Sequence, residues 1–205
     1  MDTPDTHTPS STPGSEPRTS YLEEKAFKAR TLLVFGTITD TLAADVARRL
    51  IALDAESAEP IDMLVSSPGG HLESGDTMHD LVRFITAPVN MIGTGWVGSA
   101  ATHLYLAAPR ERRFCLPNTR FLIHQPSGGA GGPASDIAIQ AREIVKARER
   151  IARTIARQTG KPLEVVLADG SVRAGNGAAG ATTGAAAKAA GAADRGSVSG
   201  SASST

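Results

Sequence analysis

From Thr31 to Gly160 the chain alternates between short apolar runs and longer stretches in which apolar positions return every three or four residues. Thr31–Phe35 (TLLVF) is a compact apolar run closed by Gly36, the pattern of a buried strand. Leu42, Val46, Leu50 and Leu53 then recur at helical spacing, with Asp40 placed to cap the helix they define. Ile61–Val65 is the next strand and stops at Ser66-Ser67-Pro68-Gly69-Gly70, after which Leu72, Met78, Leu81, Val82 and Ile85 mark a second amphipathic helix. Val89–Ile92 predicts a third strand, leading through Gly93-Thr94-Gly95-Trp96-Val97-Gly98 into an apolar helix from about Ser99 to Ala108. Arg113–Leu116 and Arg120–Ile123 predict two more strands. Ser135–Gly160 reads as one long helix with Ile137, Ala141, Ile144, Ile151 and Ile155 on one face, Ser135 or Asp136 capping its start and Gly160 its end. This βαβαβ order predicts an α/β fold with a mostly parallel sheet and right-handed helical crossovers. The last helix follows a Gly-rich loop, Gly128–Gly132, and is longer than covering one sheet requires.

The ends have a different character. Residues 1–20 hold five Thr, four Ser and four Pro and no large apolar residue after Met1, so they cannot bury enough surface to offset their ordering entropy and are expected to be disordered. Residues 170–205 contain twelve Ala, eight Gly and six Ser, with Val172 and Val198 as the only larger aliphatics, and are expected to be a low-complexity, mostly unfolded tail. The folding unit is therefore expected to span 21–169, as a single domain.

Three features fall at the carboxyl ends of predicted strands, the edge where open α/β sheets bind their ligands. The Ser66–Gly70 turn can serve as a plain Pro-Gly reversal, or Gly70, lacking a Cβ, can present its N–H to a substrate carbonyl. Ser99 can be a helix cap, or its hydroxyl can stand exposed at a helix N-terminus, where N–H groups stabilise a developing oxyanion. His124, ending Arg120-Phe121-Leu122-Ile123-His124, can be structural, or it can be the base that takes the serine proton. The spacing around Ser99 is not the G-x-S-x-G elbow of α/β-hydrolases.

Charge and cysteine content narrow the function. Lys and Arg total 21, as do Asp and Glu, so there is no net basic field of the kind that recruits nucleic acid. The single cysteine, Cys115, sits in an apolar run and is read as a buried, inert thiol. The N-terminus lacks the basic and apolar regions of a secretory signal, and no run approaches the ~18 apolar residues of a membrane span, so a cytoplasmic location is expected.

Taken together, the SPGG turn, the GxxxSA turn, NxRFLIHQPxGGxxG and the D-I-x-I-x-A-R-E-I helix closely resemble the proteolytic subunit of the Clp protease family, from about Arg30 to Leu167. The spacings, 29 residues from Gly70 to Ser99 and 25 from Ser99 to His124, also match that family. The resemblance implies a spiral of βαβ units, shared with crotonases, and a projecting handle helix at 135–160. It implies a serine endopeptidase with Ser99 as nucleophile, His124 as base, and Gly70 and Ala100 as backbone donors to the oxyanion. A peptide would lie as an added strand between His71–Leu72 and Ser127–Gly128. No metal or cofactor is implied. The implied partners are unfolded polypeptides and a AAA+ unfoldase that spends the ATP, with self-assembly into two stacked heptameric rings.

The match breaks near Ala168–Gly170. The family's third triad member, an aspartate, falls here on Arg173, while Asp169 matches a different acidic position. The tail beyond resembles nothing in the family, as a shifted reading frame would produce. Activity is therefore expected to be impaired, since an orienting carboxylate fixes the histidine tautomer and stabilises the imidazolium. Two other readings stand beside the peptidase: a non-catalytic Clp-like structural subunit, which Arg173 favours, and a crotonase-type acyl-CoA enzyme, which the two glycine turns alone would permit.

Overall fold

The structure, a computed structural model, describes residues 16–124, 131–168, 171–174 and 182–183. Its order is α1 (Glu16–Lys28), β1 (Thr31–Phe35), α2 (Asp40–Glu56), β2 (Ile61–Ser67), α3 (Leu72–Phe84), β3 (Val89–Gly98), α4 (Ala100–Tyr105), β4 (Arg113–Cys115), β5 (Arg120–His124), α5 (Ala134–Thr159), α6 (Leu163–Ala168), β6 (Ser171–Ala174) and β7 (Thr182–Thr183). Strands β1, β2, β3 and β4 run parallel in that spatial order, and β7 adds parallel to β4.

Alternation along β2 turns Ile61, Met63, Val65 and Ser67 inward, where they meet Val46, Leu50 and Leu53 of α2 and Met78 and Val82 of α3 in one continuous core. Period two on the strand and period 3.6 on the helices thus converge on one apolar volume. Cys115 is part of it, and burial pushes its thiol up from the ordinary value.

Strand β3 is longer than its sequence suggests. The segment Gly93–Gly98, expected to be a turn, continues the strand, with Gly95 at a φ of 59° absorbing a bend. The two halves serve different neighbours: Met91–Gly93 pair with Arg113–Cys115 of β4, and Trp96–Gly98 pair with Arg120–Leu122 of β5. Pairing with β2 shifts register between Val65 and Ser67, which puts Ser67 beside Val97. The glycines read as a turn are what lets one strand edge supply two partners in succession.

Two expected caps are displaced towards the N-terminus. Thr39, extended at φ −129° and ψ 167°, caps α2 by accepting from the Leu42 N–H at 3.2 Å; Asp40 lies in the first turn. Helix α5 starts at Ala134 after Pro133, so Ser135 and Asp136 are inside it rather than capping it; Gly160, left-handed at φ 74°, ends it as expected. Only the second half of α5 packs on the body: Ala147, Ala152, Thr154 and Ile155 are buried, whereas Ile137, Ile139 and Ala141 are exposed. Arg113, fully buried, donates through Nη2 to the Gln158 carbonyl and side chain at 3.2 and 3.3 Å, fastening β4 to the end of that helix.

Helix α1 begins inside the N-terminal segment expected to be disordered, and α6 was not foreseen. The Ala/Gly/Ser tail contributes β6, antiparallel to β5, and β7. Backbone pairing does not depend on side-chain hydrophobicity, so a low-complexity sequence can still supply short edge strands. The rest of the tail and residues 1–15 lie outside the described residues.

Arg30 closes one end of the sheet. It sits at a positive φ of 51° and donates to the carbonyls of Leu53 and Ser57, each at 3.0 Å, and of Glu59 at 2.8 Å, tying the end of α2 and the turn after it to the start of β1. Arg30→Ala is expected to lower the unfolding free energy by about 2 kcal/mol, the scale of several charge-assisted bonds removed from partly buried acceptors. The denaturant midpoint measures this; a loss under about 0.5 kcal/mol would show these bonds to be no better than those with water.

Candidate active site

The carboxyl ends of β2, β3 and β5 converge. At the end of β2 the Ser67 hydroxyl accepts from the Gly69 N–H at 3.0 Å, and Gly69 and Gly70 take φ of 97° and 150°. Ile38, after β1, donates to the Gly69 carbonyl and accepts from the His71 N–H, both at 2.9 Å. In that parallel bridge the N–H of the intervening Gly70 turns away from Ile38. A Cβ on Gly69 would lie 2.6 Å from the Ser99 Cβ and 2.7 Å from the Gly98 carbonyl oxygen, so glycine here permits a contact no other residue could make.

Ser99 joins β3 to α4 at φ 54° and ψ −125°, far outside the regions open to a residue with a side chain. Neighbours hold it there. Its N–H donates to the Leu122 carbonyl of β5 at 2.8 Å, and its own carbonyl accepts from the Thr102 and His103 amides at 2.9 and 3.3 Å. The Thr102 hydroxyl also reaches the Val97 and Leu122 carbonyls at 3.0 and 3.1 Å. Strain of this sort costs on the order of 1–3 kcal/mol and persists only where surroundings impose it, most often at sites of chemistry. Although its sequence lacks the G-x-S-x-G spacing, the serine stands on the same kind of strained strand-to-helix turn.

Gly98 is in register with Leu122, and His124 lies two residues further along β5. Gly70, His71, Leu72, Ser99, Ala100 and His124 all line one cavity of about 1290 Å³ that α5 closes on its far side. Ala100 opens α4, where backbone N–H groups lack intrahelical acceptors. Ser127, Gly128 and Asp169 lie outside the described residues. The backbone of Arg173 sits in β6 opposite Leu122, with Ser171 opposite His124.

The sequence reading missed a polar cluster on the same cavity. Asp76 of α3 receives His103 Nε2 of α4 at 3.0 Å and, on its other oxygen, Arg150 of α5. The rings of His103 and His79 stack with centroids 4.3 Å apart and planes 10° from parallel, both almost fully buried. Burial alone would raise the Asp76 carboxyl, but the bond from His103 and the charges of His103 and Arg150 outweigh it and hold it below the usual range. Burial, reinforced by His103 alongside, lowers His79 against the opposing pull of Asp80. The one signal in the sequence was a polar pair, Thr102-His103, inside an otherwise apolar helix.

Residues 14–183 match the model of a family described as Clp protease, so the match runs past Ala168–Gly170, where the resemblance was expected to end. The chain is 57% identical over 152 residues to ATP-dependent Clp protease proteolytic subunit 2 of Gluconobacter oxydans, covering 73% of this chain and 68% of that one. It is 51% identical over 148 residues to the proteolytic subunit 2 of Pseudomonas aeruginosa, covering 72% and 74%. Among solved structures, ClpP1 from Listeria monocytogenes superposes with a TM-score of 0.64 at 46% identity, covering 72% of this chain and 82% of that one.

The His79 environment sets a pH dependence. Its folded form binds protons less readily than the unfolded chain, so its contribution to stability is intact above the unfolded value of about 6.5 and is lost as pH falls below it. The denaturant midpoint is expected to drop between about pH 6.5 and 5, and His79→Phe to flatten that slope. An unchanged slope in the variant would exclude His79 as the source.

Proposed function

The chain belongs to the Clp protease family, and from that premise we propose that it is a serine endopeptidase working through Ser99 and His124. The observation that carries this assignment is the backbone of Ser99, forced to positive φ and pressed against Gly69 on the cavity that His124 also lines. In the proposed reaction a peptide lies as an added strand beside His71–Leu72, meeting the Leu72 N–H at the start of α3 because both main-chain groups of His71 are already bonded, with Ser127–Gly128 on its other side. The Ser99 hydroxyl attacks the carbonyl carbon while His124 accepts its proton. The N–H groups of Gly70 and Ala100 receive the developing oxyanion; Gly70 turns its N–H from Ile38, and Ala100 stands at the first position of α4, where an N–H has no intrahelical acceptor. The protonated histidine then gives its proton to the departing amine, and water releases the acyl chain by the same steps reversed.

The exposed apolar residues Leu33, Phe35, Phe84 (82% exposed), Ile139 and Val145 support self-assembly, which the resemblance implies as two stacked heptameric rings with α5 as the handle. Unfolded polypeptides delivered by a AAA+ unfoldase fit an acceptor that binds backbone rather than particular side chains; the Gluconobacter relative carries ATP dependence in its name, and ATP would be spent by that partner. Among the described residues no helix is long and apolar enough to cross a membrane.

Arg173 tempers the activity. It occupies the position of the family's triad aspartate and offers no acceptor for an imidazole N–H, so the chain is an impaired peptidase, approaching a structural subunit that assembles with active copies. Family membership leaves the acyl-CoA reading without support.

A fluorophosphonate is expected to label Ser99 in the assembled protein and not in Ser99→Ala, with slow hydrolysis of short fluorogenic peptides. Intact assemblies showing neither labelling nor hydrolysis would end the catalytic assignment. Arg173→Asp is expected to raise peptide turnover, by up to about 10⁴-fold if the restored carboxylate reaches the imidazole.

A further inference from the structure

A peptide plane carries the carbonyl of one residue and the N–H of the next, so whatever fixes one aims the other. The Ala100 N–H therefore points opposite to the Ser99 carbonyl, and the ψ of Ser99, −125°, sets the direction of both. That angle belongs to a strained residue, and turning the plane would relieve the strain unless something holds it. Two amides hold it: those of Thr102 at 2.9 Å and His103 at 3.3 Å both donate to the Ser99 carbonyl. They belong to a helix of six residues, Ala100–Tyr105, too short to persist on its own hydrogen bonds. The plane is therefore only as firm as the side chains that anchor those two residues.

Each is anchored to a different part of the fold. The Thr102 hydroxyl ties its residue to the sheet, through the Val97 and Leu122 carbonyls. His103 is tied to the helices. Its Nε2 lies 3.0 Å from Asp76 of α3, Arg150 of α5 takes the other carboxylate oxygen, and its ring lies on that of His79. His103 Nδ1 is buried with no hydrogen-bond partner among the described residues, so Nε2 gives the ring its polar hold. Beside this bond α3 and α4 meet so closely that a Cβ on Gly75 would lie 3.1 Å from the Ala100 Cβ. We infer that His103 is a positioning residue for acyl transfer: held by Asp76, its amide fixes the Ser99–Ala100 peptide plane and so keeps the Ala100 N–H aimed at the oxyanion. This rests on the assignment of Ser99 as nucleophile and Ala100 as an oxyanion donor. His103 acts through that peptide plane and not on the substrate carbonyl.

The test is the rate of fluorophosphonate labelling at Ser99, resolved into reagent affinity and the first-order bond-forming step. In that step the Ser99 oxygen bonds to phosphorus as fluoride departs, the hydroxyl proton passes to His124, and the phosphoryl oxygen takes the place of the oxyanion. His103→Phe keeps a ring against His79 but has no donor for Asp76. It is expected to slow bond formation by about tenfold or more, a fraction of what losing an oxyanion donor outright costs, with affinity changed less than about twofold. His103→Gln, whose amide can donate to Asp76 from the ε position, is expected to recover most of that rate although it gives up the stacked ring. Hydrogen exchange read by mass spectrometry should rise over residues 99–105 in His103→Phe, less so in His103→Gln, and stay unchanged over 61–65 in both. Should His103→Phe fail to fold, Asp76→Ala removes the acceptor from a partly exposed position and carries the same measurement. Labelling in His103→Phe at the native rate, or no better in His103→Gln than in His103→Phe, overturns the positioning role. Absence of labelling in the unaltered assembled chain overturns the site assignment instead, and the positioning role with it.

Discussion

The contact between the Gly69–Gly70 turn and Ser99 is the constraint around which the site is built. A serine at φ 54° is unfavourable wherever it stands, and it is kept there by a hydrogen bond to the Leu122 carbonyl, by the Thr102 hydroxyl bridging β3 and β5, and by a turn so close that a single Cβ would collide with it. Each of these depends on the strand geometry beneath. β3 must continue to Gly98 to bring its end level with β5, and the register shift on β2 must place Ser67 beside Val97. The bend at Gly95 serves that alignment, so the glycines of the segment do structural work before any chemistry is considered.

The second organising feature is the polar seam between the body and α5. Burying carboxylate and imidazole groups is costly unless they are paired, and here Asp76 is paired twice, to His103 on the helix that Ser99 opens and to Arg150 on the long helix. His103 also donates its amide to the Ser99 carbonyl, so the seam reaches the strained serine through a single residue. Arg113 and Gln158 fasten the far end of the same helix. Its first half, carrying Ile137 and Ile139 in the open, has no such ties. One helix is thus anchored by buried ionic and polar contacts at one end, with Ile137 and Ile139 uncovered at the other.

The elements with clear periodicity were legible in advance. β1, β2, α2 and α3 follow their apolar spacing, and Ser99 and His124, each at a strand end, line one cavity. What failed was local. Asp40 and Ser135 looked like caps because their residue types suit the task, but a cap is decided by which residue is extended when the helix starts, and Thr39 and Pro133 were. The tail looked unfolded because it has almost no large apolar side chains, yet edge pairing asks only for backbone groups, and β6 and β7 form from it.

The sequence by itself determined the α/β class, the order of the elements, the family, and the residue types available for chemistry, because periodicity and glycine placement are properties of neighbours along the chain. It could not determine that Ser99 is strained, that His79 stacks on His103, or that Asp40 and Glu73 grip His71 from two helices. Most of those contacts join groups far apart in the chain at fixed distances, as His103 with His79, 24 residues apart, and Arg150 with Asp76, 74 apart, do. Only the packed structure sets such distances, because only packing excludes water and closes the space between elements that share no local pattern.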